Sequence, residues 1–443
     1  MTTLSDVPEL VGLDARRGLV RIPPELDVPL TDRVRRIIDT RAFRRLARIS
    51  QLGLVSLVYP AAIHTRFEHS LGVYRLALLL LKQLAHDERF AAAIRPEDAD
   101  RFIAAALVHD LGHWPFCHPI EDIRLPGVPT HERFVGAFLL EGEMAEVLDR
   151  HWGLNPLDVV SLLSEKPRDR TSRILTSMLS GPIDVDKMDY LFRDSLHAGV
   201  PYGRHFDQQR LIGSLCLNAA GDGLAITDKG KTATELIVFA RYVMFSEVYW
   251  HHGVRSATAM LQRAFFLLHE RVDLDRLFRM SEPEMIAELG RVAGDGPAGD
   301  LLSGLFGPTR RLYKRLAQYS FFEEQDLYLR LARRPYPWLA SCAERLAAVI
   351  SAALGQRIAP HEILFDAPPV QREVEIHVDV YYPKEDRYRP LAEVSPVVRT
   401  LAREQFDDYV KRVRVFAHPR VAAELRGLDD LPGLVNQAIA QTG

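Results

Sequence analysis

Arg101 to His118 reads RFIAAALVHDLGHWPFCH, an apolar run from Phe102 to Val108 that ends abruptly in ionisable side chains. Pro96 suits the first turn of a helix, where its missing amide proton does no harm, and Gly112 and Pro115 suit its end, so the spacing predicts a helix from Pro96 to about Leu111. His109 and Asp110 then stand at its C-terminus. A histidine beside an aspartate costs free energy to bury unless each finds a partner, and a divalent metal would be such a partner.

Reading outward toward the N-terminus, FEHSLGVYRLALLLLKQL at 67–84 is apolar enough for a buried helix, with His69 in its first turn. Val34, Ile37, Ile38 and Leu46 follow the N-cap candidate Thr31 at near-helical spacing, which predicts one amphipathic helix over 32–48. That segment carries Arg33, Arg35, Arg36, Arg41, Arg44, Arg45 and Arg48, either a solvated face or a polyanion site. Before it, LVRIPPELDVPL at 19–30 is proline-interrupted and extended.

Toward the C-terminus, Thr130 and the pair Asn155–Pro156 each open a helix. Residues 171–195 read as two helices joined at Gly181 and Pro182, the second bearing Asp184, Asp186, Asp189 and Asp194. A β-hairpin is expected over 217–230, with GLAIT as its likeliest strand, and one long helix or two in tandem over 232–270. The Gly- and Ala-rich stretch 290–308 predicts a loose connection or short helix, and helices should resume over 310–354. Alternation of β-branched residues predicts strands over 360–385, and 396–443 should combine a helix, the strand RVRVFA and a terminal helix. The expected fold is therefore mainly α: a helical core with a small β-hairpin insertion and a minor α+β C-terminal region. The expected boundaries are an extended segment at 1–30, a core at 31–280, a helical extension at 281–355 and the α+β region at 356–443.

Composition is that of a globular protein, 47% hydrophobic and 26% charged over 443 residues, long enough to bury a sizeable core. The net charge of −3 gives no global footprint for nucleic acid. Cys117, Cys216 and Cys342 are odd in number and far apart, which suggests neither a disulfide framework nor a Cys-based zinc site and fits a reducing compartment. The sequence shows neither a leader-like N-terminus nor an apolar run of membrane-spanning length, so a cytoplasmic location is expected.

A metal needs ligands from separate helices. His109 and Asp110 lie about 100° apart on a helix wheel, so an ion can sit between them. His69 and one aspartate of the 183–195 helix are the natural suppliers of the remainder, a two-His, two-Asp set. Mixed imidazole and carboxylate ligation suits Mn, Fe, Zn or Ni, with Mg, which usually prefers oxygen alone, as a further candidate. Open positions on such an ion serve water and a phosphate oxygen.

HTRFEHSLG at 64–72, HDLGHWPFCH at 109–118 and IDVDKMDYLFRDSLHAG at 183–199, with RLARISQLG at 45–53, resemble in the same order the signature blocks of the HD-domain phosphohydrolases. The likeness is greatest to the dNTP triphosphohydrolases and runs from about Arg33 to Met260. It implies His69, His109, Asp110 and Asp186 as metal ligands, Asp186 rather than Asp184 because the family ligand precedes the lysine of DVDK. It implies His113, His118, His131 and Glu132 in the catalytic pocket with Glu121 nearby, His118 being the candidate general acid toward the leaving 5′ oxygen. Arg66, Lys187, Arg241 and His197 match positions near the phosphates; Gln51, Tyr190, Asp194 and Tyr249 match positions around sugar and base. Where the triphosphohydrolases often carry a DPIHG-like segment contributing to an allosteric nucleotide site, this chain has DARRGLVRIP at 14–23.

The expected activity is metal-dependent hydrolysis of a dNTP to deoxynucleoside and triphosphate by a homo-oligomer, a dimer or tetramer. The alternatives are another HD phosphohydrolase, acting as nucleotidase or phosphodiesterase, and a regulator that binds nucleotide or nucleic acid without cutting it. His64, His86, His151 and His269 are assigned no role, and Asp189 reads as a solvated acid rather than a ligand.

Overall fold

A computed structural model describes residues 3–370, 377–402, 410–428 and 430–442. The Arg66–Leu84 helix is its axis, packed between the Pro96–Val108 and Val185–Ala198 helices. Leu78, Leu80, Leu81 and Leu84 have no exposed surface. Each contributes about 1.5–3 kcal/mol by leaving water, which is why this helix can carry polar residues at its N-terminal end without losing its place. The chain is mainly helical, as expected, with small sheets at its margins.

The expected single helix over 32–48 is two, Asp32–Ile38 and Arg41–Leu46. Thr40 breaks it: its hydroxyl donates to the Ile37 carbonyl and accepts from the Phe43 amide, so the side chain ends one helix and caps the next. The apolar period continues across the break, which hides it from periodicity alone. Residues 171–195 do form two helices, Arg170–Ser180 and Val185–Ala198, the latter capped by Asp184 through the Lys187 amide. The 232–270 segment is Lys231–Met244, a π-helical turn Phe245–Tyr249, and His252–Leu268.

The hairpin Leu215–Leu217 with Leu224–Thr227 forms as expected but is half of a larger sheet. Asp379–Tyr382 pairs parallel to Leu224–Thr227 and antiparallel to Arg387–Pro390, giving four strands. The 290–308 stretch is better ordered than its glycines suggest: Glu282–Ala293 and Pro297–Phe306 are both helices. Helices do not fill 310–354, because Lys314–Tyr319 is a strand before the Gln325–Leu331 and Tyr336–Leu354 helices. Its partner is Val413–Ala417, which lies between it and Ile363–Asp366, a non-local pairing that a charged local sequence does not announce. The expected strand pattern at 371–376 lies outside the described residues. The Tyr336–Leu354 and Leu431–Thr442 helices cover this sheet with a core of their own.

Candidate metal centre and active site

The Pro96–Val108 helix stops one residue before the ionisable pair, and His109–Gly112 continues as a tighter 3-10 turn rather than as α-helix to Leu111. That turn aims His109 and Asp110 at the start of the Arg66–Leu84 helix. His69 Nε2 lies 3.0 Å from Asp186 Oδ1, 3.2 Å from His109 Nε2 and 3.9 Å from Asp110 Oδ2. His109 Nε2 lies 3.5 Å from Asp110 Oδ1 and 3.8 Å from Asp186 Oδ1. The four side chains named from sequence thus converge from three helices, and His69, His109 and Asp186 form a group able to hold an ion.

The outer faces of both imidazoles are already committed. His69 Nδ1 meets Asp189 Oδ2 at 2.8 Å, and His109 Nδ1 meets the Ala106 carbonyl at 2.9 Å. Each Nε2 is thereby turned inward, the arrangement by which ligating histidines are oriented. Burial would keep His69 neutral, but Asp186 and Asp189 outweigh it and lift the imidazole to about 10. The field that favours a proton there also favours a cation, and binding one would release the other. The donor set and its orientation fit a divalent transition metal.

Asp189 is no solvated acid: it is buried, and Arg193 grips both of its oxygens at 2.8 and 2.7 Å. Arg193 also donates to Glu68, which holds His197 at 2.9 Å. The four-residue step from Asp189 to Arg193 on one helix face was the available signal. Gly72 makes room for the pair, since a Cβ there would stand 1.9 Å from Asp189 Oδ1. Arg66, expected near the phosphates, donates to Asp110 Oδ2 at 2.9 Å. Burial would raise the Asp110 carboxyl, but Arg66, His113 and His109 hold it well below the usual range.

A second cluster begins where the first ends. His113 Nδ1 is 3.0 Å from Asp110 Oδ1, and its ring lies 3.9 Å from that of His131. Phe116, in the left-handed region at φ 56, reverses the chain so that the Cys117–Asp122 helix brings back His118 and Glu121. Glu121 Oε2 stands 3.0 Å from His131 Nδ1 and 3.5 Å from His118 Nδ1. Burial acts to lower the His131 pKa, but the Glu121 hydrogen bond and charge outweigh it and raise it. His113, buried beside Arg66 and His131, is held well below its ordinary value. The His118 side chain is 61% exposed, against 36% for Asp186, the most exposed of the first group, so this cluster is the more open to solvent. Glu132 is half exposed, 3.4 Å from His131 Nε2. Gly112 lets the His131–Phe134 helix touch the turn, a Cβ there falling 2.1 Å from the His131 carbonyl.

The remaining expected residues divide. Asp194 is buried, accepting from Tyr249 at 2.6 Å while its other oxygen meets His64 Nε2 at 2.9 Å. The π-helical turn re-aims Tyr249 at that carboxylate, as such turns often do at functional sites. His64, left without a role in sequence, is buried and stacks 4.4 Å from His197. Gln51 donates its backbone N–H to the His64 carbonyl, and its side-chain oxygen is buried without a hydrogen bond. Lys187 Nζ binds Asp184 at 2.6 Å and the Gly181 carbonyl at 3.1 Å, bracing the helix start. Burial pushes the Tyr190 phenol up to about 12 against the opposing charges of Arg241 and Lys187. Arg241 is buried, its guanidinium 5.4 Å from the Phe245 ring centroid.

The arginine run is not one face. Arg33 pairs with the buried Glu9 and with Asp100, Arg45 turns inward onto the 109–113 turn, and Arg36 pairs with Asp32 at the surface.

Two histidines and two aspartates gathered by a helical fold beside a second histidine cluster are the arrangement of an HD domain. The HD domain model matches residues 66–191 and the HD associated region matches 206–427; the chain belongs to the HD-domain phosphohydrolases. It is similar to the uncharacterized protein YwfO of Bacillus subtilis, 36% identical over 241 residues, 54% of this chain and 52% of that one. It is 30% identical over 386 residues to the uncharacterized protein MJ1154 of Methanocaldococcus jannaschii, covering 85% of this chain and 74% of the relative. It is 33% identical over 205 residues to the mouse deoxynucleoside triphosphate triphosphohydrolase SAMHD1, covering 40% of this chain and 31% of that protein. The alignment thus spans about half of the first relative and a third of the last. The crystal structure of a hypothetical protein from Aquifex aeolicus superposes with a TM-score of 0.69 at 26% identity, covering 92% of this chain and 98% of that one. Among the described residues no helix is long and apolar enough to cross a membrane.

Proposed function

We propose that this phosphohydrolase cleaves deoxynucleoside triphosphates to deoxynucleoside and triphosphate. The observation that carries the reading is the pairing of an ion-sized His/Asp centre with a separate, solvent-open His118–Glu121–His131 cluster. One cluster suits binding an ion and a phosphate oxygen, the other suits moving a proton. The likeness to SAMHD1 supports the substrate class.

His69, His109, Asp110 and Asp186 would hold a divalent metal, which would supply Lewis-acid polarisation and a nucleophile at neutral pH. The residues do the rest. His131, whose imidazolium form Glu121 favours, faces the phosphates. A water oxygen forms the new bond to the α-phosphorus, the bond from phosphorus to the 5′ oxygen breaks, His118 gives that oxygen a proton, and the proton the water loses passes to solvent, from which His118 regains one. Asp194, Tyr249 and Gln51 bound the space for sugar and base. The same reading includes assembly as a dimer or tetramer, which light scattering on the purified chain checks.

The test is incubation with each of the four dNTPs and each NTP under Mn, Fe or Mg, resolving triphosphate from mono- and diphosphate. Triphosphate from a dNTP is the expected product. Monophosphate or diphosphate as the product, or none from any dNTP, overturns the reading.

A further inference from the structure

We propose that Arg45 is a positioning residue of the metal centre, whose guanidinium holds the backbone of the turn that delivers His109, Asp110 and His113. After Gly112 the chain becomes extended at His113, φ −73 and ψ 134, so no further helical turn brings amides to the carbonyls just before it. Arg45 supplies donors instead. Its Nη2 lies 3.0 Å from the Leu111 carbonyl, and its Nη1 and Nη2 both lie 2.9 Å from that of His113. Leu111 and His113 are buried, so water is no substitute and an unmade bond there would cost its full desolvation.

The fork reaches this turn from the Arg41–Leu46 helix, with Phe138 4.5 Å beneath its guanidinium. Among the described residues Arg45 forms no ion pair with a carboxylate, unlike its neighbours Arg33 and Arg36. A buried cation whose bonds go only to carbonyls is a costly way to fill space, and an apolar side chain would fill it more cheaply. What the guanidinium adds is planar, two-pronged geometry. The turn it fixes is sensitive to that geometry, because Asp110 Oδ2 accepts from Arg66 at 2.9 Å while its Oδ1 lies 3.0 Å from His113 Nδ1. A small rotation of the turn would lose either contact and misplace the ligand, and sites of this kind tolerate only about 0.5 Å.

The proposal leans on the triphosphohydrolase reading only for its kinetic arm. In the full chain, Arg45→Lys keeps the charge but loses the Nη1 bond to the His113 carbonyl and the fixed plane that holds Nη2 against both carbonyls, and Arg45→Met removes fork and charge. Mn bound per chain is measured by elemental analysis against graded chelator, with thermal midpoints with and without Mn and, on dNTPs, kcat and KM. Arg45→Lys is expected to hold Mn about 10–100-fold more weakly, as for other residues supporting metal ligands, and to lower kcat more than it raises KM. Its midpoint without Mn should fall by only a few degrees, the cost of weakened bonding to buried carbonyls, while the gain on adding Mn shrinks as well. Parent-like Mn affinity in Arg45→Lys overturns the proposal, whether or not Arg45→Met folds. If the parent cleaves no dNTP, the functional reading fails while the Mn comparison still decides the role of Arg45.

Discussion

Two histidine clusters share Asp110 and His113 as their border, yet they are built on opposite plans. Around His69 and His109 every outward nitrogen is committed to a buried acceptor, Asp189 or the Ala106 carbonyl, and Arg193 and Arg66 brace the carboxylates. Around His118 and His131 a single carboxylate, Glu121, faces both rings and one ring stands in solvent. Rigid orientation with inward lone pairs suits an ion. A shared acid, open to water, suits a proton that must come and go.

The sharpest way to break that contrast is to remove a ligand from the braced cluster. Asp110→Ala should strip the metal and cost about 10³-fold or more in kcat, the several kcal/mol a metal supplies to a phosphoryl transition state. It should also destabilise the fold by about 3–5 kcal/mol, because Arg66 is left buried and unpaired. Elemental analysis and chemical denaturation check both. Next comes His118→Ala in the open cluster, expected to lower kcat by about 10²–10⁴ with metal content unchanged. Loss of metal in that variant would erase the division between the clusters. Asp189→Asn is milder: it leaves all four ligands but weakens the orientation of His69, so metal affinity should fall about 10–100-fold, read by chelator competition.

Much of this arrangement was legible in the sequence, and the exceptions share a cause. The Pro96–Val108 helix and the convergence of His69, His109, Asp110 and Asp186 followed from apolar runs, helix ends and motif blocks, all local signals. Asp189, Arg193 and Glu68 were not seen as a unit, because an acid on a polar helix face reads as solvated until the neighbouring helix that buries it is in place. Gly72 held the missing clue, since a glycine inside a strongly apolar helix marks a close approach. The break at Thr40 is hidden for a related reason: the apolar period runs unbroken across its capping hydroxyl. The Lys314–Tyr319 strand and the four-stranded sheet depend on partners far along the chain, which no window around either segment contains. Arg45 was visible only as one of a run of arginines; which of them turn inward is settled by packing.

Glu121→Gln gives the smallest and most specific effect, and its sign can be worked out. In the folded protein burial would lower the His131 pKa, but Glu121 more than reverses this and carries it above the ordinary 6.5. Its protonated form therefore persists to higher pH than in the unfolded chain. Glu121 itself is held well below its ordinary 4.5, burial being outweighed by hydrogen bonds and charge from His118 and His131. The stability the pair contributes is thus fully present between about pH 4.5 and 6.5; it is lost as pH rises through the folded His131 value or falls through that of Glu121. With glutamine in place, burial and the Arg66 charge act on His131 against the weaker pull of Glu132 alone. The limb of kcat/KM that falls with rising pH should move to lower pH, and the stability difference between parent and variant should be largest inside that window. A limb that stays in place would assign the titration to another group and remove His131 from proton traffic, leaving the open cluster with His118 alone.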